Sequence, residues 1–208
     1  MLRLATAVTF VALLAGCNAT LHVDQPDPTT GLYATHSTLK PEDVKVVDKF
    51  DPAYTQMLYL KINAETPNPR FVDFFVAAFK DMHTFKKVMT KDDLEALVIE
   101  RNLGSKVPNV SDLVGLNNLS KEIGPFLIVE PNAIFKGGYV FEGTMKAVDA
   151  STGKTVLLID TSAVNMAGLD DPLFHPMLNG FINWTQGKPV VPGAPASAQD
   201  EHASPSKL

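Results

Sequence analysis

The chain has one cysteine and one tryptophan among 208 residues. A single thiol excludes an intrachain disulfide framework and a cysteine-based zinc cluster. Basic residues are outnumbered, 18 Lys and Arg against 23 Asp and Glu, for a net charge of −5. Such a balance argues against a surface built to neutralise nucleic-acid phosphates, so no nucleic-acid partner is expected. The longest apolar run, Leu4 to Ala15, is shorter than the about 20 residues a membrane-spanning helix needs. Internal repeats and long charge runs are absent as well, and the length suits one domain with a real core.

What is present begins at the amino terminus. Arg3 precedes the apolar stretch LATAVTFVALLA, and the small residues Ala15 and Gly16 precede Cys17. Basic start, apolar middle and small-residue end form the layout of a secretory signal. Leu14-Ala15-Gly16-Cys17 resembles the lipobox of bacterial lipoproteins. That resemblance implies cleavage before Cys17, a diacylglyceryl group on its sulfur and an acylated amino terminus. Several acyl chains hold a protein to a bilayer, whereas one does so only marginally. Asn18 follows in place of the aspartate that tends to retain such proteins in the inner membrane, so the implied address is the outer membrane, facing the periplasm. The triplets that start at Asn18, Asn109, Asn118 and Asn183 have the glycan-acceptor pattern and are read, given the lipobox, as unmodified.

The organisation expected is a signal at 1–16, a lipidated flexible tether at 17–42, a folded periplasmic domain at 43–186 and a disordered tail rich in Pro, Ala and Ser at 187–208. Within the domain, MLYLKINAE (57–65) alternates as a strand, and PRFVDFFVAAFKDM places Phe71, Phe75, Ala78, Phe79 and Met82 at helical spacing, a stripe that reads as core. TFKKVM (84–89) is a short strand. Thr90 and Asp93 form a capping box for a helix with Leu94, Leu97 and Val98 on one face. Ser111 is the expected cap of a further helix closed by Gly124. Three strands follow, FLIVEPNAIF, GGYVFEGTMKAVD and KTVLLIDTSAV, the last two joined by a turn in which Gly153 accommodates positive φ. PLFHPMLNGFINWTQ is amphipathic, but Pro176 and Gly180 make it a marginal helix. The element order β-α-β-α-α-β-β-β-α gives an α+β sandwich, a mixed sheet with helices packed on one face.

Catalytic patterns are scarce. TGKT (152–155) looks like the end of a P-loop, but Val148 stands where that motif needs glycine, and the lysine enters a strand instead of opening a helix. The five histidines, His22, His36, His83, His175 and His202, form no metal-binding pair, and no nucleophile elbow exists. Adjacent Asp92-Asp93 and Asp170-Asp171 read as solvated charge. No metal, cofactor or enzymatic activity is therefore expected. Trp184, between Asn183 and Thr185, is a candidate interface residue because tryptophan pairs apolar area with an N–H that needs a partner; capping the core is its other reading.

LSKEIGPFLIVEPNAIF followed by FEGTMKAVDASTGKTVLLIDTS resembles the periplasmic α/β domain shared by the TolB amino-terminal region, the curli secretion lipoprotein CsgG, the polysaccharide lipoprotein PelC and the auxiliary lipoproteins of ABC-type transporters. The resemblance covers about residues 55–186 as an order of elements. It implies a non-enzymatic adaptor of export or envelope assembly, held to the membrane by its lipid anchor, binding envelope proteins and able to form a homo-oligomeric ring. A lipoprotein that binds a small ligand or lipid beside the Phe71 to Met82 stripe is the alternative. An open groove there would favour the ligand, a filled core the adaptor.

Overall fold

The computed structural model describes residues 21, 24–62, 69–166 and 168–193. Their elements are strands β1 (Val44–Val47) and β2 (Leu58–Leu60), helix α1 (Pro69–Asp81), strand β3 (Val88–Met89), helices α2 (Lys91–Glu100) and α3 (Leu113–Ile123), strands β4 (Leu127–Gly137), β5 (Val140–Asp149) and β6 (Thr155–Val164), and helix α4 (His175–Thr185). One six-stranded sheet has the order β1-β6-β5-β4-β2-β3. β2 is parallel to both β3 and β4, while β4, β5, β6 and β1 are antiparallel neighbours. The fold is α+β on a mixed sheet, as expected from the sequence.

The helices, expected on one face, cover both. Leu58 and Leu60 of β2 point into a core with Phe74, Phe75 and Phe79 of α1 and Met177, Leu178 and Phe181 of α4. Met57 and Tyr59 point the other way, onto Leu94 and Val98 of α2 and Leu116 and Leu119 of α3. Successive strand side chains alternate in direction, so a strand whose residues are all buried must be covered twice. The same holds at Leu127, Ile128 and Val129 of β4.

Local signals explain most element ends. Thr90 and Asp93 cap α2 reciprocally. α3 starts one residue later than expected, because the carboxylate of Asp112, not the hydroxyl of Ser111, accepts from the Gly115 N–H at 2.7 Å. Gly124 closes it at φ 97°. Asp149 organises the β5–β6 turn, accepting from the Ser151 amide and hydroxyl and from the Thr152 hydroxyl, and Gly153 has φ 73°. The segment with Pro176 and Gly180 is a full helix preceded by a π turn over Asp170–Phe174. A side chain on Gly180 would meet Leu39, Val190 and Ile159, so close packing replaces propensity there.

The packed domain extends past the expected boundaries. Tyr33 and Leu39, within the expected tether, are buried, as are Val190 and Val191 in the expected tail. Asn179 fastens the incoming segment by accepting from the Tyr33 amide at 2.7 Å and donating to its carbonyl at 2.9 Å. Of the expected 57–65 strand, Leu58–Leu60 is a strand among the described residues and 63–65 lie outside them; the 84–89 strand spans only Val88–Met89, while β1 is a strand that the sequence pattern does not announce.

Candidate functional site

On the α2/α3 side, the sheet outruns its helices and leaves a polar row across three strands. Lys61 follows β2 and keeps the ladder, its amide donating to the Val129 carbonyl. Glu130 follows on β4, and Lys146 of β5 is its cross-strand partner. Both lysines reach the same carboxylate: Lys61 Nζ donates to Glu130 Oε1 at 2.8 Å and Lys146 Nζ to Oε2 at 3.2 Å. All three side chains are half-buried. Pro131, Asn132, Thr144 and Leu158 complete a cleft of about 360 Å³ over the row. A second cleft begins at Lys61 and runs between Tyr59, Val72, Thr90 and Ser111.

The electrostatics limit the chemistry. Burial raises the proton affinity of Glu130, but the hydrogen bonds and charges of Lys61 and Lys146 outweigh it and hold the carboxyl below the usual glutamate range. Glu130 is therefore ionised at neutral pH and unsuited to donate a proton. Burial, then the charges of Glu130 and Glu95, push the Tyr59 hydroxyl up to about 12, so it stays protonated. Two lysines around one carboxylate leave one net positive charge in the cleft. That arrangement suits docking of a carboxylate or other acidic group better than acid–base work. Among the described residues, no group of three or more His, Cys, Asp or Glu is placed to hold a metal ion.

The residues singled out in the sequence do not gather here. Cys17 lies outside the described residues. Trp184 is 3% exposed, donates its indole N–H to the Asp48 carbonyl at 2.6 Å and packs edge-on against Phe50 and Phe181. This corrects the interface reading: the indole N–H has its partner inside the domain, and the ring presents no free face. The phenylalanine stripe is filled. Phe71, Phe74 and Phe75 surround Phe174, and Phe79 meets Phe181 at 5.2 Å between centroids. Lys154 of the TGKT string pairs with Asp48 at 2.7 Å and leads into β6. His83 ends α1 with its Nδ1 2.8 Å from the Lys80 carbonyl. His175 is buried between Tyr33 and Phe74, its Nδ1 3.0 Å from the Ala34 carbonyl, while its Nε2 has no hydrogen-bond partner.

Sequence reasoning passes over Lys61, Glu130 and Lys146. A signal is there: each is a charge set between apolar neighbours, in YLKI, IVEP and TMKAV. What the sequence does not display is the pairing that brings residues 69 and 16 positions apart into register.

No protein-family model matches this chain, and no curated protein matches it. Solved structures do. The LpoB C-terminal domain from Salmonella enterica aligns over 54% of this chain and 84% of its own, with 11% identity and a TM-score of 0.34. A PelC dodecamer from Paraburkholderia phytofirmans, carrying L103M, aligns over 68% of this chain and 94% of its own, with 12% identity and a TM-score of 0.37. A second crystal form of the PelC dodecamer gives 14% identity and a TM-score of 0.34 over the same shares. The functional reading accordingly rests on this chain's own residues.

Proposed function

We propose that the protein is an outer-membrane lipoprotein, acylated on Cys17 and facing the periplasm, whose domain is a non-enzymatic adaptor in envelope export or assembly. The observation that supports the adaptor over the ligand-binding alternative is the filled aromatic core: the rings that would line a ligand groove contact one another and α4. The open polar face around Lys61, Glu130 and Lys146 is where a partner protein is taken, through an acidic group that meets the net positive cleft. The lipobox motivates the anchor, and Cys17→Ser should leave the protein unprocessed or released from the membrane. A Cys17→Ser variant that is cleaved and still membrane-bound would end the lipidation reading.

The native mass of the full-length protein after gentle detergent extraction, by light scattering, tests the adaptor. A discrete homo-oligomer, or a stable envelope partner lost in a Lys61→Glu, Lys146→Glu variant, supports it. A monomer carrying a bound small molecule refutes it.

A further inference from the structure

The hairpin of β4 and β5 outgrows the rest of the domain. β4 is buried at Leu127 to Val129, yet Ile134 and Phe135 are exposed. Tyr139, 71% exposed, stands in the connecting turn with φ 66°, held by the Asn165 amide, which donates to its carbonyl at 2.8 Å. Val164, which pairs with Val140, and Met166, 85% exposed, extend the same end of the sheet. Phe135 also stacks obliquely on Phe141 at 5.2 Å. Ile134, Phe135, Tyr139, Val164 and Met166 thus share one exposed tip. Soluble surfaces seldom carry such a grouping unless something covers it.

The path of the chain says what covers it, on the reading that Cys17 is acylated. The amino-terminal segment runs along the domain, with Gln25 donating to Asp81 at the end of α1 and Gly31 beside Gln186, and it reaches the tip end at Thr35. Asp24 lies 3.7 Å from His175 Nε2, and the Thr35 hydroxyl donates to the Asp171 carbonyl at 2.7 Å. Asp171 is five residues beyond Met166, and Leu173 rests against Gly143, two residues from Phe141. Trp184 and the β5–β6 turn mark the opposite end, where the Trp184 indole bonds Asp48 and Asp48 bonds Lys154. Asp24 is seven positions beyond Cys17, a span of at most about 25 Å when fully extended. A lipid on Cys17 would therefore hold the part of the domain around Asp24 and His175 within reach of the bilayer.

We propose that Ile134, Phe135, Tyr139, Val164 and Met166 form a membrane-seating tip that enters the headgroup region of the bilayer holding the Cys17 acyl chains. The surface it takes is that of neutral phospholipid. Lys136 beside the turn is neutralised by Glu142 at 2.8 Å, so among the described residues the turn presents no unpaired lysine to select anionic lipid. Tyrosine and phenylalanine at headgroup depth, with an apolar ring and in tyrosine a polar end, suit that boundary. Seating would also aim the Lys61 to Lys146 row and its partner along the membrane instead of leaving the domain to swing on its tether.

The test uses the full-length, membrane-extracted protein in phosphatidylcholine vesicles whose acyl chains carry bromine, a short-range quencher. Tyr139→Trp adds a tryptophan at the tip and Lys154→Trp adds one at the far end, while Trp184 of the parent is the buried reference. The added emission of Tyr139→Trp should fall by about half or more, without dependence on salt, while Lys154→Trp and the parent are unmoved. The mass of the amino-terminal peptide, read on the same samples, separates the two ideas. An acylated protein whose tryptophan at 139 is quenched no more than the one at 154 overturns the tip alone. A peptide without acyl groups overturns the anchor, and the tip proposal with it.

Discussion

Replacing Glu130 by glutamine removes one charge from between two lysines and changes little else in shape. It takes the ionic character out of two hydrogen bonds, the 2.8 Å bond from Lys61 and the 3.2 Å bond from Lys146. Hydrogen bonds to a charged group contribute about 1.5–3 kcal/mol when shielded, and exposed ion pairs about 0.2–1 kcal/mol. Glu130 is 27% exposed and its partners 34% and 42%, which places the pair of bonds between those limits. The desolvation of Glu130 opposes them, so the net loss expected is about 1–2 kcal/mol at neutral pH. With a urea slope of about 2 kcal/mol per molar, the unfolding midpoint should fall by about 0.5–1 M. The pH dependence follows from the direction of the shift. Because the folded carboxyl sits below the usual glutamate range, the unfolded chain takes up the proton first as pH falls. The advantage of the parent is complete above the unfolded value, about 4.3, and is lost as pH drops through the lower folded value. Urea titrations of parent and Glu130→Gln from pH 7 downward should converge in acid. Equal midpoints at pH 7, or a gap that persists unchanged in acid, would refute the account of the cleft.

Gly115→Ala would place a Cβ 1.5 Å from the Asn109 carbonyl oxygen. The helix-propensity gain of about 1 kcal/mol cannot offset a backbone collision costing about 3 kcal/mol, so calorimetry should show Tm lowered by about 4–8 °C. Phe79→Ala, at a fully buried ring packed on Phe75 and Phe181, should cost about 3–5 kcal/mol in urea unfolding. A loss below about 1 kcal/mol there would mean that the stripe is not the closed core described. Trp184 fluorescence should be blue in the native protein and unmoved by vesicles, since the indole is buried and bonded to Asp48. A further blue shift on vesicle addition would restore an interface role to that residue.

Several elements are legible in the sequence because their causes are local. The helix of α1 follows from apolar spacing, the start of α2 from Thr90 and Asp93, the end of α3 from Gly124, and the β5–β6 turn from Asp149 to Gly153. β1 is silent because VKVV is four residues long and gains its strand state from pairing with β6, far along the chain. α4 reads as marginal because Pro176 and Gly180 lower propensity. Pro176 sits in the first turn, where its missing N–H costs nothing, and Gly180 is where Leu39, Val190 and Ile159 close in.

The sequence by itself determined the α+β order of elements and the core role of the phenylalanine stripe, because each depends on residues close together along the chain. Tertiary structure alone decided that helices cover both faces, that Tyr33, Leu39 and Val190 belong to the core and that Trp184 is closed off. It also decided that Lys61, Glu130 and Lys146 meet. Those facts depend on strand register and on the side of the sheet each crossover takes, which are settled by the summed burial of distant side chains and leave no mark in any short stretch of sequence.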